Sequence, residues 1–126
     1  MDNVVSVSCS GRFVAAIKSD GSLWMWGDNS HGELGNGGKA NAIIDEANRY
    51  QTEPVKVMDG VAAVSCGSDY TGAIKTDGSL WMWGNNERGQ LGNGAYSKSN
   101  IPVKVLDDVA AVSCGDNATT GAVKTD

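Results

Sequence analysis

The sequence predicts an all-β fold, a partial β-propeller of four-stranded antiparallel blades, and three observations carry that prediction. One unit is repeated about two and a half times along the chain. Each copy reads as four short strands separated by turn residues. Side chains grow from small to large across each copy, as they must in a blade that widens away from a central axis.

The repeat is explicit. Residues 4–38, VVSVSCSGRFVAAIKSDGSLWMWGDNSHGELGNGG, align with residues 61–95, VAAVSCGSDYTGAIKTDGSLWMWGNNERGQLGNGA, at a constant shift of 57. Residues 109–126 begin the unit again, with Cys66 to Cys114 and Pro54 to Pro102 both at a shift of 48. The difference of nine residues is an insertion between Gly37 and Pro54. The expected organisation is a single partial propeller domain over 1–126: repeat one at 4–60 with its insertion at 39–53, repeat two at 61–108, and a half repeat at 109–126.

Taking repeat two in order, Val61–Cys66 is a run of small apolar residues and gives the first strand. Thr71–Lys75 gives the second, and Thr76-Asp77-Gly78-Ser79 follows it. Asp-Gly between two such runs signals a hairpin, here expected as a type I′ turn with φ > 0 at both central residues. Ser79–Trp83 is the third strand. After a glycine-rich loop, Pro102–Leu106 is the fourth, matching Pro54–Met58 in repeat one, with proline expected at the first residue, where no ladder N–H is needed. The first two strands carry small groups such as Ala62, Ala63, Gly72 and Ala73. Alternation along the third puts Trp81 and Trp83 on one face and Leu80 and Met82 on the other.

Composition narrows the function. The 126 residues hold 10 Lys+Arg against 15 Asp+Glu, a net charge of −5, and nucleic-acid or anionic-membrane surfaces need clustered cations. No nucleic-acid or membrane partner is therefore expected. No apolar stretch is long enough to span a bilayer, and Met1-Asp2-Asn3-Val4 does not open a secretory signal.

Candidate chemical groups mostly read as structure. Cys9, Cys66 and Cys114 fall at one position in successive units, with no CxxC pair and His31 as the single histidine. They are expected as buried small thiols rather than metal ligands, and free thiols favour a reducing compartment such as the cytoplasm. The repeated Trp24, Trp26, Trp81 and Trp83 read as blade-to-blade packing rather than a sugar-stacking platform. The loops at 27–37 and 84–94 do not fit G-x-x-x-x-G-K-[ST], so their glycines are read as turn formers with Leu34 and Leu91 plugging inward. Asp20, Asp77 and Asp126 are hairpin residues, not a catalytic pair, and one loop histidine supports no nucleophilic triad. No enzyme activity, cofactor or metal is expected.

The segment 39–53, KANAIIDEANRYQTE, is the one that breaks the repeat. Ile43, Ala47 and Tyr50 fall at i, i+4 and i+7, the spacing of a short amphipathic helix. Non-repeating loops carry function more often than scaffolds do. Ile43, Ile44, Asp45, Glu46, Arg49 and Tyr50 are accordingly the candidate contacts for a protein partner.

Cys66-Gly67, then Gly72–Gly78, then Trp81–Gly84 with Asn86, then Gly89–Gly94 together resemble the regulator of chromosome condensation repeat, and the resemblance covers the chain apart from the insertion. It implies a closed propeller, usually seven-bladed, used mainly to bind other proteins. The best-known member of that family is a nucleotide-exchange factor for a small nuclear GTPase and binds chromatin. The chain departs from the pattern at Phe13-Val14 and Tyr70-Thr71, where the family often has His-Thr or His-Ser, at Cys9-Ser10, and at Gly32-Glu33-Leu34-Gly35, where glutamine is usual. No residue matches the loops on which exchange depends. The leading expectation is a non-catalytic protein-interaction scaffold, part of a larger propeller, with guanine-nucleotide exchange as the alternative.

An open stack of blades also exposes apolar faces and strand edges. The chain holds three first halves of the unit and two second halves and ends inside the Asp-Gly turn, so identical copies cannot close a ring cleanly. Self-association through open blade edges is expected.

Overall fold

A computed structural model describes residues 1–37 and 50–125. Ten strands are formed among them: β1 (Val4–Cys9), β2 (Phe13–Lys18), β3 (Leu23–Asp28), β4 (Tyr50–Met58), β5 (Val61–Cys66), β6 (Tyr70–Lys75), β7 (Leu80–Gly84), β8 (Ser99–Leu106), β9 (Val109–Cys114) and β10 (Thr120–Lys124). They build one antiparallel sheet in the order β1-β2-β3-β4, a second in the order β5-β6-β7-β8, and a β9–β10 pair. Each sheet is a simple meander, so every pairing joins neighbours in sequence. No described residue is helical.

The sheets stack through their first strands: β1 packs against β5 and β5 against β9, while β2 packs on β5 and β6 on β9. Small side chains allow this approach. At the first junction Phe13, Ala15, Ile17, Leu23, Met25 and Leu34 meet Val61, Cys66, Ala73 and Trp83 in one core. At the second, Ile74, Leu80, Met82 and Leu91 join Val109, with Val112 and Cys114 packed against them. Backbone donors are met across the junctions by the same residue in each copy. The Cys66 N–H donates to Ser8 Oγ at 3.0 Å, and the Cys114 N–H to Ser65 Oγ at 2.9 Å.

The Asp-Gly turns form, with a different backbone. Only the glycine has positive φ, +86° at Gly21 and +87° at Gly78, so the expected type I′ turn is replaced. The Gly78 N–H donates to the Lys75 carbonyl at 2.9 Å and the Lys75 N–H to that of Ser79 at 2.9 Å, a three-residue connection with one left-handed glycine. Asp77 needs no strained backbone there. Its Oδ1 accepts both the amide and hydroxyl hydrogens of Ser79, and that hydroxyl in turn accepts the Trp81 indole N–H at 2.8 Å. Asp20, Ser22 and Trp24 repeat the arrangement.

The outer strands differ most from expectation. β4 and β8 start earlier, at Tyr50 and Ser99, which places Pro54 and Pro102 inside their strands rather than at the first residue. Both sit where the ladder slips, between Met25 and Gly27 and between Met82 and Gly84, so the missing N–H falls at an irregularity. Tyr50, expected on a helix, instead opens β4 opposite Asp28. Ile43 and Ala47, the other positions of that helix, lie outside the described residues. The third strand of repeat two runs Leu80–Gly84, one residue later than Ser79–Trp83, because Ser79 is spent capping the turn.

The thiols are not equivalent. Cys66 is buried between sheets, Cys114 is partly covered, and Cys9 is exposed, since no sheet covers the outer side of β1 among the described residues. Burial pushes the Cys66 thiol up to about 12 and that of Cys114 to about 11, which leaves both inert as nucleophiles at neutral pH. The indoles follow the same rule. Trp83 is fully buried at the first junction, while Trp26, its counterpart, is only half-buried.

Candidate protein-interaction face

The connections β1–β2, β5–β6, β7–β8 and β9–β10, with residues 29–37 after β3, lie at one end of the stack, as the bond from the Asp28 N–H to the Arg12 carbonyl and that from Asn85 to Asp69 show. The long loops there are built around one asparagine each. Asn29 Oδ1 accepts the Leu34 N–H at 3.1 Å, and its amide group donates to Asn36. Asn86 Oδ1 accepts the Leu91 N–H at 3.0 Å, and its Nδ2 donates to Asn93, Ala95 and Ser97. This inward asparagine, with Leu34 and Leu91 buried beneath it, accounts for the repeated Gly-x-Leu-Gly-Asn-Gly run. The amide hydrogens of Leu34 and Leu91 serve the loop itself, not a phosphate.

A polar cleft of about 420 Å³ opens between these tips. Arg12 and His31 reach it from the first sheet, Asp69, Asn85, Glu87 and Arg88 from the second, and Asp116 and Asn117 from the β9–β10 connection. The floor is fixed: Asn85 Nδ2 donates to Asp69 Oδ2 at 2.8 Å, and its Oδ1 accepts the Glu87 N–H at 3.0 Å. Both signs of charge line the cleft. Such a surface suits another protein better than a phosphate backbone, which calls for cations alone.

The cleft gathers what the repeats do not share. Within the aligned stretches 4–38 and 61–95, charged residues are replaced at Arg12/Asp69, Asp28/Asn85, Ser30/Glu87, His31/Arg88 and Glu33/Gln90. All of these residues lie in the connections at this end except Asp28, which closes β3, whereas the shared residues 20–27 and 77–84 form turn and strand. Sequence reading that prized identity between units passed over these positions. Their divergence was the available signal.

Glu33 is the most unusual of them. Its side chain is fully buried, Oε1 accepts the His31 N–H at 2.8 Å, and Oε2 has no hydrogen-bond partner, with His31 Nδ1 at 3.6 Å. Burial, with the Asp28 and Asp69 carboxylates adding to it, raises its carboxyl to about 7. Gln90 takes the same place in the second loop without charge, and its Oε1 accepts the Arg88 N–H at 3.0 Å. The backbone of this residue is a junction latch: the Glu33 carbonyl accepts the Thr71 hydroxyl at 2.7 Å and the Trp83 indole N–H at 2.8 Å.

Of the partner-contact candidates, Tyr50 lies at the start of β4 on this same end, 52% exposed. Ile43, Ile44, Asp45, Glu46 and Arg49 lie outside the described residues, in the connection between Gly37 and Tyr50. Among the described residues, no cluster of His, Cys, Asp and Glu is placed to hold a metal ion, and no helix is long and apolar enough to cross a membrane.

The sequence matches the family described as the regulator of chromosome condensation (RCC1) repeat over residues 20–74 and 77–121, with a second description of that repeat matching at 4–33 and 61–90. It is 34% identical over 100 residues to the RCC1 domain-containing protein RUG3, mitochondrial, of Arabidopsis thaliana, across 78% of this chain and 21% of that protein. It is 34% identical over 94 residues to the E3 ubiquitin-protein ligase HERC2 of Homo sapiens, across 73% of this chain and 2% of that one. The fold matches the crystal structure of Prp20p of Saccharomyces cerevisiae, whose published description names binding to Gsp1p and histones. The TM-score is 0.79 at 23% identity, over all of this chain and 33% of that one. The chain thus spans about a third or less of each of these proteins.

Proposed function

This chain belongs to the regulator of chromosome condensation (RCC1) repeat family, and from that premise we propose that it serves as a non-catalytic scaffold whose loop-bearing end holds a protein partner. One observation carries the reading. Within the aligned stretches 4–38 and 61–95 the turn and third strand at 20–27 and 77–84 are identical, while each charge-changing pair has at least one member lining the polar cleft. A stack of shared packing parts presents a rim whose charges differ from unit to unit, which is how a repeat protein acquires a specific surface. Tyr50 lies at the same end, and Ile43, Ile44, Asp45, Glu46, Arg49 and Tyr50 of the 39–53 insertion are proposed as its contribution to the contact. Open faces with exposed Val5 and Val7 on β1 and Val123 on β10 support self-association as a further proposal, read by light scattering over a dilution series.

The test replaces first-unit rim residues by their second-unit counterparts, Arg12→Asp with His31→Arg, which leaves the packing untouched. Proteins retained from extract by the unaltered chain are expected to be lost at least ten-fold with this variant. They are expected to be kept with Lys56→Glu and Lys104→Glu, whose side chains pair with Asp59 and Asp107 instead. Equal retention by both variants contradicts the reading. Accelerated nucleotide release from a small GTPase would assign exchange activity in its place.

A further inference from the structure

Glu33 and His31 tie the polar cleft to the first junction: His31 lines the cleft, and the Glu33 carbonyl accepts hydrogen bonds from the second sheet. We infer that the two side chains form a proton-operated latch. With one proton held between them the 29–35 loop is closed and His31 stands in the cleft wall; loss of that proton releases the loop from the second sheet and takes the wall away. The inference rests on reading the cleft as the partner-binding face, and it names how that face is regulated.

The carboxyl is placed to need the proton. Glu33 is fully buried, its Oε1 is occupied by the His31 N–H at 2.8 Å, and its Oε2 is left without a hydrogen-bond partner. The group facing Oε2 is His31 Nδ1 at 3.6 Å, with the Ser30 hydroxyl 3.1 Å from the same nitrogen. A proton on Oε2 gives it a donor directed at Nδ1, and a proton on Nδ1 makes an imidazolium beside a carboxylate. Either form holds one proton and no net charge. Without that proton the site keeps a negative charge out of water, and Asp28 at the end of β3 and Asp69 in the β5–β6 connection add repulsion. From β6 and β7 come the neutral Thr71 and Trp83, and Arg12 and Arg88 line the cleft without an ion pair to Glu33 among the described residues.

The loop has little room to answer a charge by a small shift. A Cβ on Gly32 would lie 2.9 Å from Asn100 Cα, and one on Gly35 2.7 Å from Trp83 Nε1, so the backbone on both sides of Glu33 is wedged against the second sheet. The Glu33 carbonyl holds the Thr71 hydroxyl at 2.7 Å and the Trp83 indole N–H at 2.8 Å, and Asn29 Oδ1 holds the Leu34 N–H at 3.1 Å. Bringing water to Oε2 therefore lifts the loop off these partners as a unit, and the same movement carries His31 out of the cleft. The folded carboxyl stands near 7 against an ordinary 4.5, so opening is favoured progressively as pH rises from 4.5 to about 7 and levels off beyond. Gln90 is the built-in comparison. It caps the Arg88 N–H with an amide oxygen that has no proton to lose, and beside it the Leu91 N–H donates to Asn86 Oδ1 at 3.0 Å.

Hydrogen exchange of the Leu34 amide and the Trp83 indole N–H, read by NMR on the full chain and corrected for the intrinsic rate at each pH, follows the latch without any partner. Protection of both should fall at least ten-fold more than that of Leu91 between pH 5 and pH 8. Glu33→Gln should abolish the difference, and so should His31→Arg, which sets a permanent cation beside Oε2 and keeps the test open should the first variant fail to fold. His31 is the single histidine, so its ring resonances report the pair directly, and their titration midpoint should move in Glu33→Gln. Retention of partner proteins by the parent chain should be at least three-fold weaker at pH 8 than at pH 5.5, and level with Glu33→Gln. Level protection of Leu34 across the range, a step that Leu91 shares in full, a step that survives Glu33→Gln, or an unmoved His31 titration overturns the latch. A latch that titrates while retention does not overturns the regulation. Neither result touches the reading of the cleft itself, which stands or falls on the rim exchange of Arg12 and His31.

Discussion

At the scale of single residues, one oxygen distinguishes the two long loops. Glu33 and Gln90 occupy equivalent places, and each side-chain oxygen Oε1 caps the backbone N–H two residues earlier. Glutamine does so without charge, while Glu33 must either bury a carboxylate or keep its proton. Its carboxyl stands near 7 when folded, against 4.5 as the ordinary value, so between those limits the folded chain binds more protons than the unfolded one. Stability is therefore fully present below about pH 4.5 and is lost as pH rises to about 7, by roughly 3 kcal/mol. Asp20 and Asp77 do not enter that window, because the Ser22 and Ser79 hydroxyl and amide hydrogens hold both below the usual carboxylate range. Glu33→Gln should flatten the pH dependence and leave the chain more stable than the parent at pH 8. Urea unfolding from pH 5 to pH 8.5 measures it; an unchanged slope, or a variant weaker at pH 8, contradicts the assignment.

At the scale of elements, β3 and β7 share the sequence Leu-Trp-Met-Trp-Gly yet bear different loads. In β7 the second indole closes the first junction, and in β3 its counterpart Trp26 faces outward and stays half-covered. Trp83→Ala should cost about 3–5 kcal/mol and Trp26→Ala roughly 1–2 kcal/mol, as read from urea midpoints. Equal losses would mean that strand identity, not the junction, sets the energy. The strands themselves were legible in the sequence, since the small apolar run of Val61–Cys66, the alternation of Leu80–Trp83 and the Asp-Gly turns are local signals. The fourth strand was less so. Its early residues, Tyr50–Glu53 and Ser99–Ile101, are polar or isolated, and they are strand because β3 and β7 offer a ladder, which no local pattern announces. Tyr50 illustrates the cost: spacing alone put it on a helix, and pairing with Asp28 wins.

At the scale of the whole molecule, the packing was readable from identity between units and the polar rim only from their differences. Arg12 against Asp69 and His31 against Arg88 look like noise in a repeat until the fold brings all four to one cleft. Which neighbour covers which face is likewise not local information. Cys9, Cys66 and Cys114 share one sequence context and three different exposures, because among the described residues the second sheet alone is packed on both sides. That asymmetry sets the stability: the two junctions share the serine–cysteine and threonine–carbonyl bonds, the middle sheet takes part in both, and the outer strands in one or none. Amide hydrogen exchange on the chain alone, followed peptide by peptide, tests it most directly. Protection should be greatest across β6 and β7 and should fall toward β1 and β10. Uniform protection from β1 to β10, or slower exchange in β10 than in β6, would contradict the account.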